Sequence, residues 1–328
     1  MSSVLPFDII FLIIDIIGEN KDMNLLKELA LVSHSFHQLC SKHIFATVEL
    51  HDALPHRSLA SSKKRFIRLL KNSPDVVKYI RKLTYNMEII GSNAPLLRSV
   101  SEDRLLSPTL PNFLRTIPRL NYLKITSSGL DWARLDSSLA SAFLHLMHLP
   151  TINHIDLSCF INFPLFSLTP SINLHRLDIS GLLVVEPLSF FGFFDEGVSH
   201  ENFQLEMMPK IREFYTSRSA LMTSKLLHTK TQDGRSAFNF MDLRRLSMSY
   251  TEFEDERSVR YVLQNAKLLE NLHLLVDPLD QSLLVGLHGI LSKSPTARTL
   301  KVLGLTFRTN VDDYESTTPL PLPWLCEE

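Results

Sequence analysis

The sequence predicts a mixed α+β and α/β fold, with a short N-terminal module of three helices followed by a curved array of parallel strands backed by outer helices. Three observations predict it. A pattern of large apolar residues spaced L-x-x-L-x-L recurs along most of the chain. Amphipathic segments at helical spacing precede several of these copies. The first fifty residues follow a different rule, an apolar helix and two short ones with no strand pattern.

The N-terminal helix comes first. Val4 to Ile17 is almost wholly apolar, but it lacks a basic leader, is too short for roughly 30 Å of hydrocarbon, and is interrupted by Asp8 and Asp15. Neither a signal peptide nor a membrane span is expected. Pro6 suits a helix start, where its missing N–H would be unpaired anyway, and Asp8 in the first turn complements the positive end of the helix dipole. Asp8 and Asp15, seven apart, share one narrow polar edge, and Ile9, Ile10, Leu12, Ile13, Ile14, Ile16 and Ile17 cover the rest. A helix apolar nearly all round must be covered on more than one side. The following helices, around Leu25 to Leu31 and from Ser33 through Phe36, Leu39 and Cys40, complete only about 45 residues, marginal for a self-sufficient core. The excess apolar surface therefore implies either a partner or packing of the first helix on the array as a cap.

Leu5-Pro6-x-Asp8-Ile9-Ile10-x-x-Ile13 followed by Leu29-x-Leu31-Val32-Ser33-x-x-Phe36 resembles an F-box, spanning about Leu5 to Val48. The wording Ala30-Leu31-Val32-Ser33-His34-Ser35-Phe36, then His43-Ile44-Phe45-Ala46-Thr47-Val48-Glu49-Leu50, is similar to F-box proteins of mushroom-forming fungi. Where the common pattern has Cys-Arg-x-Trp, this chain has Ser33-His34-Ser35-Phe36, keeping a large aromatic. The resemblance implies a three-helix unit that grips the Skp-type adaptor of a cullin–RING ubiquitin ligase. It places the adaptor contacts on Leu5, Pro6, Ile9, Ile10, Ile13, Val32 and Phe36.

The module is expected to occupy residues 1–50, with a polar linker over 51–64 marked by Pro55 and two serine clusters. The array then runs over 65–308. Its first helix, Lys63 to Lys71, carries Phe66, Ile67, Leu69 and Leu70 at helical spacing and is ended by Asn72-Ser73-Pro74. Copies of the strand pattern begin at Ile80, Leu120, Ile152, Leu174, Leu243 and Leu269, with weaker ones at Ile211 and over Leu300 to Leu305. Intervals range from 22 residues (152 to 174) to 40 (80 to 120). Helices are expected over Pro111 to Ile117, Leu139 to His148 and Ser258 to Leu268. The pattern is similar to that of leucine-rich repeats, though most copies lack the usual asparagine after the strand. One apolar strand and one amphipathic helix cannot be buried alone, so stacking such units is the economical solution.

Two interruptions stand out. Val184 to Lys210 holds Phe190, Phe191, Phe193 and Phe194, either a candidate target-binding cluster or filling between strand and helix layers. Leu221 to Asn239, with Lys225, Lys230 and Arg235 among serines and threonines, reads as a mobile, mildly basic loop. Residues 309–328 read as an irregular proline-containing tail.

Chemistry-bearing motifs are sparse. No phosphate-cradling glycine motif, G-x-S-x-G or H-E-x-x-H occurs. His34, His37, Cys40 and His43 look like a run of metal ligands, but each three-residue step turns a helix by about 300°, so the four cannot converge on one ion. No catalytic residue, cofactor or metal is expected. The formal net charge of -1 provides no global field for nucleic acid or an anionic membrane. Cys40, Cys159 and Cys326 form no CxxC pair, and no N-glycosylation acceptor is present, which favours a reducing cytoplasmic or nuclear setting. The expected function is a non-enzymatic substrate receptor of a cullin–RING ligase whose array holds an unknown target protein. The alternative is a repeat scaffold, without ligase function, whose N-terminal helices only cap the array.

Overall fold

The computed structural model describes residues 6–51, 62–87, 109–184, 208–230, 236–250, 253–276 and 281–307. The chain is mixed α/β with parallel strands. By contacts it divides into two units, Met1–Ser128 with Asp136–Ile152, and Gly129–Leu135 with Asn153–Glu328. Leu5, the Phe190 to Phe194 cluster and the 309–328 tail lie outside the described residues.

The first unit opens with α1 (Phe7–Glu19), α2 (Met23–Ala30) and α3 (His34–Ile44). Strand β1 (Thr47–His51) follows at once, then α4 (Ser62–Asn72), a 3₁₀ turn (Pro74–Tyr79), β2 (Lys82–Asn86), α5 (Thr109–Arg115), β3 (Tyr122–Asp131) and α6 (Ser137–Met147). The three strands pair parallel in chain order, setting Leu50, Tyr85 and Ile125 side by side in one buried row. The sequence pattern did not announce β1. Its alternation is short and only Leu50 is fully buried, so it lacks the two-leucine signature of the later strands. Tyr85 meets Phe143 of α6 edge to face at 5.2 Å between ring centroids, the arrangement ring quadrupoles favour.

The second unit contains β4 (His154–Ile161), β5 (Arg176–Ser180), β6 (Glu213–Ser217), α7 (Ala220–His228), β7 (Arg245–Tyr250), α8 (Phe253–Asn265), β8 (Asn271–Val276), α9 (Gln281–Ser292) and β9 (Val302–Phe307). These six strands also pair parallel in chain order. Register aligns Ile155, Leu177, Phe214, Leu246 and Leu272 in one buried row, and Leu157, Ile179, Thr216, Met248 and Leu274 in the next. The copies at Ile211 and Leu300, weaker in sequence, still form full strands because their alternate positions, Phe214 and Thr216, Leu303 and Leu305, fall in register with the neighbouring rows.

Strands β4, β5 and β6 alternate, one face buried, the other part-exposed and mostly polar. Sheets covered on both faces show continuous apolar runs instead. Thr216, a polar residue in a buried row, is satisfied by Thr223 on α7, with Oγ1 to Oγ1 at 2.7 Å. Trp132 fills the start of this unit between Phe160 and Phe163, at 5.5 and 4.8 Å.

The reading of Leu221 to Asn239 as a loop is corrected over Leu221 to His228. Ala220–His228 is helical, and Met222, Thr223, Leu226 and Leu227 turn inward at one-turn spacing. Serine, threonine and lysine make up three of the nine residues of this helix, and burial is decided by which side of the turn each residue occupies.

A regular feature recurs towards the C-terminal ends of three successive strands. Ser158, Ser180 and Ser217 are register partners, and the residues after them, Cys159, Gly181 and Arg218, all take left-handed φ values of 59°, 60° and 51°. The chain then turns inward, and the Leu182 N–H donates to the Ser219 hydroxyl at 2.9 Å. That buried serine satisfies backbone in place of the missing asparagines.

Candidate partner-docking site

Helices α1 to α3 enclose a small core of their own. Ile14, Leu26 and Cys40 are buried at its centre, and Ile10, Ile17, Met23, Leu29, Phe36 and Leu39 pack around them. Local capping sets the corners. The Leu25 N–H donates to the Asp22 carboxylate at 3.1 Å, and the Phe36 N–H to the Ser33 hydroxyl at 3.3 Å, so two short helices start where their first N–H groups find acceptors. Burial pushes the Cys40 thiol up from its ordinary pKa, marking it as a core residue and not a nucleophile.

Asp15 fastens α1 to α3. Its carboxylate lies 2.6 Å from Lys42 Nζ and 2.8 Å from His43 Nε2. Desolvation alone would raise the Asp15 pKa, but hydrogen bonds from Lys42 and His43 outweigh it and hold the carboxyl below the usual carboxylate value. Lys42 also sits 3.8 Å above the Phe11 ring. Gly18 makes this approach feasible, since a Cβ there would stand 2.2 Å from the His43 ring.

With Ile10, Ile14 and Ile17 turned to the core, the stripe Ile9, Leu12, Ile13 and Ile16 faces outward, at exposures of 44%, 58%, 43% and 48%. The i, i+3, i+4, i+7 spacing makes one continuous apolar ribbon along a helix, the form that fits an apolar groove. Leu31 and Val32, at the α2–α3 turn, are also exposed. Of the residues expected to contact an adaptor, Pro6, Ile9, Ile13 and Val32 are exposed. Ile10 and Phe36 are only partly so, because each packs on the module's own core. Leu12, Ile16 and Leu31 were absent from that expectation. Their exposure follows once the core-facing side of α1 is known.

The comparisons with known proteins add nothing to this geometry. No family model and no curated protein matches the chain. The remaining candidate ligands on α3 point elsewhere: His34 bonds Gln38 at 2.9 Å, Cys40 is in the core and His43 is on Asp15. Among the described residues no group of three potential metal ligands converges, and no helix is long and apolar enough to cross a membrane.

The polar strand face of the second unit carries a charge network. Asp178 accepts from Arg176 at 3.0 Å and lies 3.1 Å from His154 Nε2. Glu213 bridges Arg176 at 3.5 Å and Arg245 at 3.1 Å, and the Arg176 guanidinium stacks 4.3 Å above Tyr215. Burial would raise the Asp178 pKa, but His154 and Arg176 hold it below the ordinary value. On the same face the Ser247 hydroxyl lies 3.2 Å from His273 Nδ1. The polar face can bind and orient a partner by charge and hydrogen bonding.

Proposed function

We propose that this chain is the substrate receptor of a cullin–RING ubiquitin ligase. The α1–α3 module is an F-box-like unit that docks a Skp-type adaptor through Ile9, Leu12, Ile13, Ile16 and Val32. The strands and helices beyond it form a leucine-rich-repeat-like solenoid that holds a target protein. Catalysis is then proximity: the receptor places target lysines near the charged ubiquitin carrier and contributes no reacting side chain.

The observation carrying this reading is the exposed ribbon on a module that already has its own core. A helix serving only as a cap would spend its apolar residues on the array. α1 keeps six of them outside, Phe7, Ile9, Phe11, Leu12, Ile13 and Ile16, the last three with Ile9 at i, i+3, i+4 and i+7. Water exposure of such a ribbon is costly, at roughly 25 cal/mol per Å² of apolar surface, and a groove on a partner recovers that free energy. Co-expression with a Skp-type adaptor followed by affinity capture tests the proposal: a stoichiometric complex is expected, and an adaptor that never co-purifies favours the scaffold without ligase function.

A further inference from the structure

We propose that the N-terminal edge of strands β5 to β9 is a docking surface for an acidic, Asp/Glu-rich segment of a partner protein, which deepens the target-binding half of the reading above. The residues just before the strands form a single row. His175 N–H donates to the Asn153 carbonyl at 2.9 Å, and the same bond repeats from Arg212 to His175, Arg244 to Arg212, Glu270 to Arg244 and Lys301 to Glu270, at 2.8 to 2.9 Å. Neighbouring strands lie about 4.8 Å apart, so from His175 to Lys301 this row runs roughly 19 Å across the unit.

Its charge is unbalanced. Arg212, Arg244 and Lys301 stand in the row and Arg176 and Arg245 one residue on, five cations against Asp178, Glu213 and Glu270, or four carboxylates when Asp242 is included. The pairs leave cationic capacity over. Glu270 is shared by Arg244 at 3.9 Å and Lys301 at 3.4 Å, and Arg212, exposed, has no carboxylate partner among the described residues. Asn153, His154, His175, Arg176, Arg212 and Glu213 line a hollow of about 350 Å³ at the start of the row. The His175 Nδ1 atom is buried there with no hydrogen-bond partner.

The form of the row selects the ligand. It is too long for one small anion, and Glu213 and Glu270 interrupt it, which disfavours the continuous charge of a nucleic-acid backbone. Discrete carboxylates on an extended polypeptide can sit beside Arg212 and Arg244 and pass the two glutamates. The charge is a local arrangement, since the whole chain carries a formal net charge of -1.

The test is fluorescence anisotropy of a labelled octaglutamate peptide with the full chain at low ionic strength, beside a Gly-Ser peptide and a single-stranded oligonucleotide of similar length. The wild type is expected to bind octaglutamate in preference to both, and Arg212→Glu/Arg244→Glu to weaken it by about tenfold or more. Both side chains are exposed, and a circular dichroism spectrum matching wild type confirms that the variant folds. The control Arg68→Glu/Lys71→Glu, with the same change in charge on exposed residues of α4, is expected to bind like wild type. Absent binding, preference for the oligonucleotide, or equal losses in both double variants would overturn the proposal. Adaptor capture is read separately through α1, so either half can fail without the other.

Discussion

His43 Nε2 lies 2.8 Å from a carboxylate oxygen of Asp15, and the two residues join the third helix to the first across 28 positions of sequence. The contact has a pH signature. Asp15 is held below the ordinary carboxylate pKa, so its contribution to stability is present above the unfolded value, about 3.9, and is lost as pH falls through the lowered folded value. Acid unfolding of Asp15→Asn should therefore show a shallower acid limb than wild type, with the two curves differing most above the unfolded value. Parallel acid limbs would mean that Asp15 is not linked to folding.

Gly18 should resist the substitution that helix propensity favours. On an exposed helix, Gly→Ala gains about 1 kcal/mol. Here the new Cβ would stand 2.2 Å from the His43 ring and force it off Asp15. Gly18→Ala should lower the melting temperature, whereas in a His43→Ala background the same substitution should cost little or stabilise. A stabilised single variant would show that the ring moves freely.

The buried rows carry the second unit. Leu177 and Leu246 are almost wholly enclosed, and truncating either to Ala should cost on the order of 2–5 kcal/mol, through lost transfer and the cavity left behind. Thr216 and Thr223 make a subtler case. Thr223→Val leaves a buried Thr216 hydroxyl unpaired and should cost roughly 1–3 kcal/mol, while the double Val variant should lie nearer wild type. Urea titrations of the singles and the double form the cycle, and additive losses would mean that the hydroxyls are not coupled.

Gly181 and Arg218 occupy the same register position and should answer substitution with opposite signs. Gly181→Ala puts a Cβ on a residue at φ 60° and within 3.2 Å of the Cys159 sulfur, at a cost of about 1–2 kcal/mol. Arg218→Gly relieves a left-handed arginine at φ 51° and should be neutral or slightly stabilising. Thermal melts of the two variants decide it.

The strands were legible because their burial repeats every two residues and their leucines at fixed offsets. Eight of the nine strands among the described residues coincide with a copy of the pattern. The helix α7 was hidden by the polar run Thr223-Ser224-Lys225 in its middle, and the left-handed turns by Cys159 and Arg218 standing where glycine would have announced them. At the candidate site, the excess of apolar surface on α1 could be read directly. Which side faced outward could not: a helix apolar nearly all round does not distinguish Ile9 from Ile10. Only the positions of Leu26 and Cys40 turn Ile10 inward and leave Ile9 out. The network of His154, Arg176, Asp178 and Glu213 was also invisible, since it joins residues of three strands that only register brings together.

The most direct test of the account is the affinity of a purified Skp-type adaptor for the wild type and for Ile9→Asp/Ile13→Asp, with circular dichroism on the same samples. Burying two carboxylates in an apolar interface costs several kcal/mol, so adaptor binding should fall by at least about a hundredfold while the strand signal is kept. Adaptor affinity unchanged by the two aspartates, or no measurable affinity in the wild type, would contradict the assignment of α1 as the docking helix.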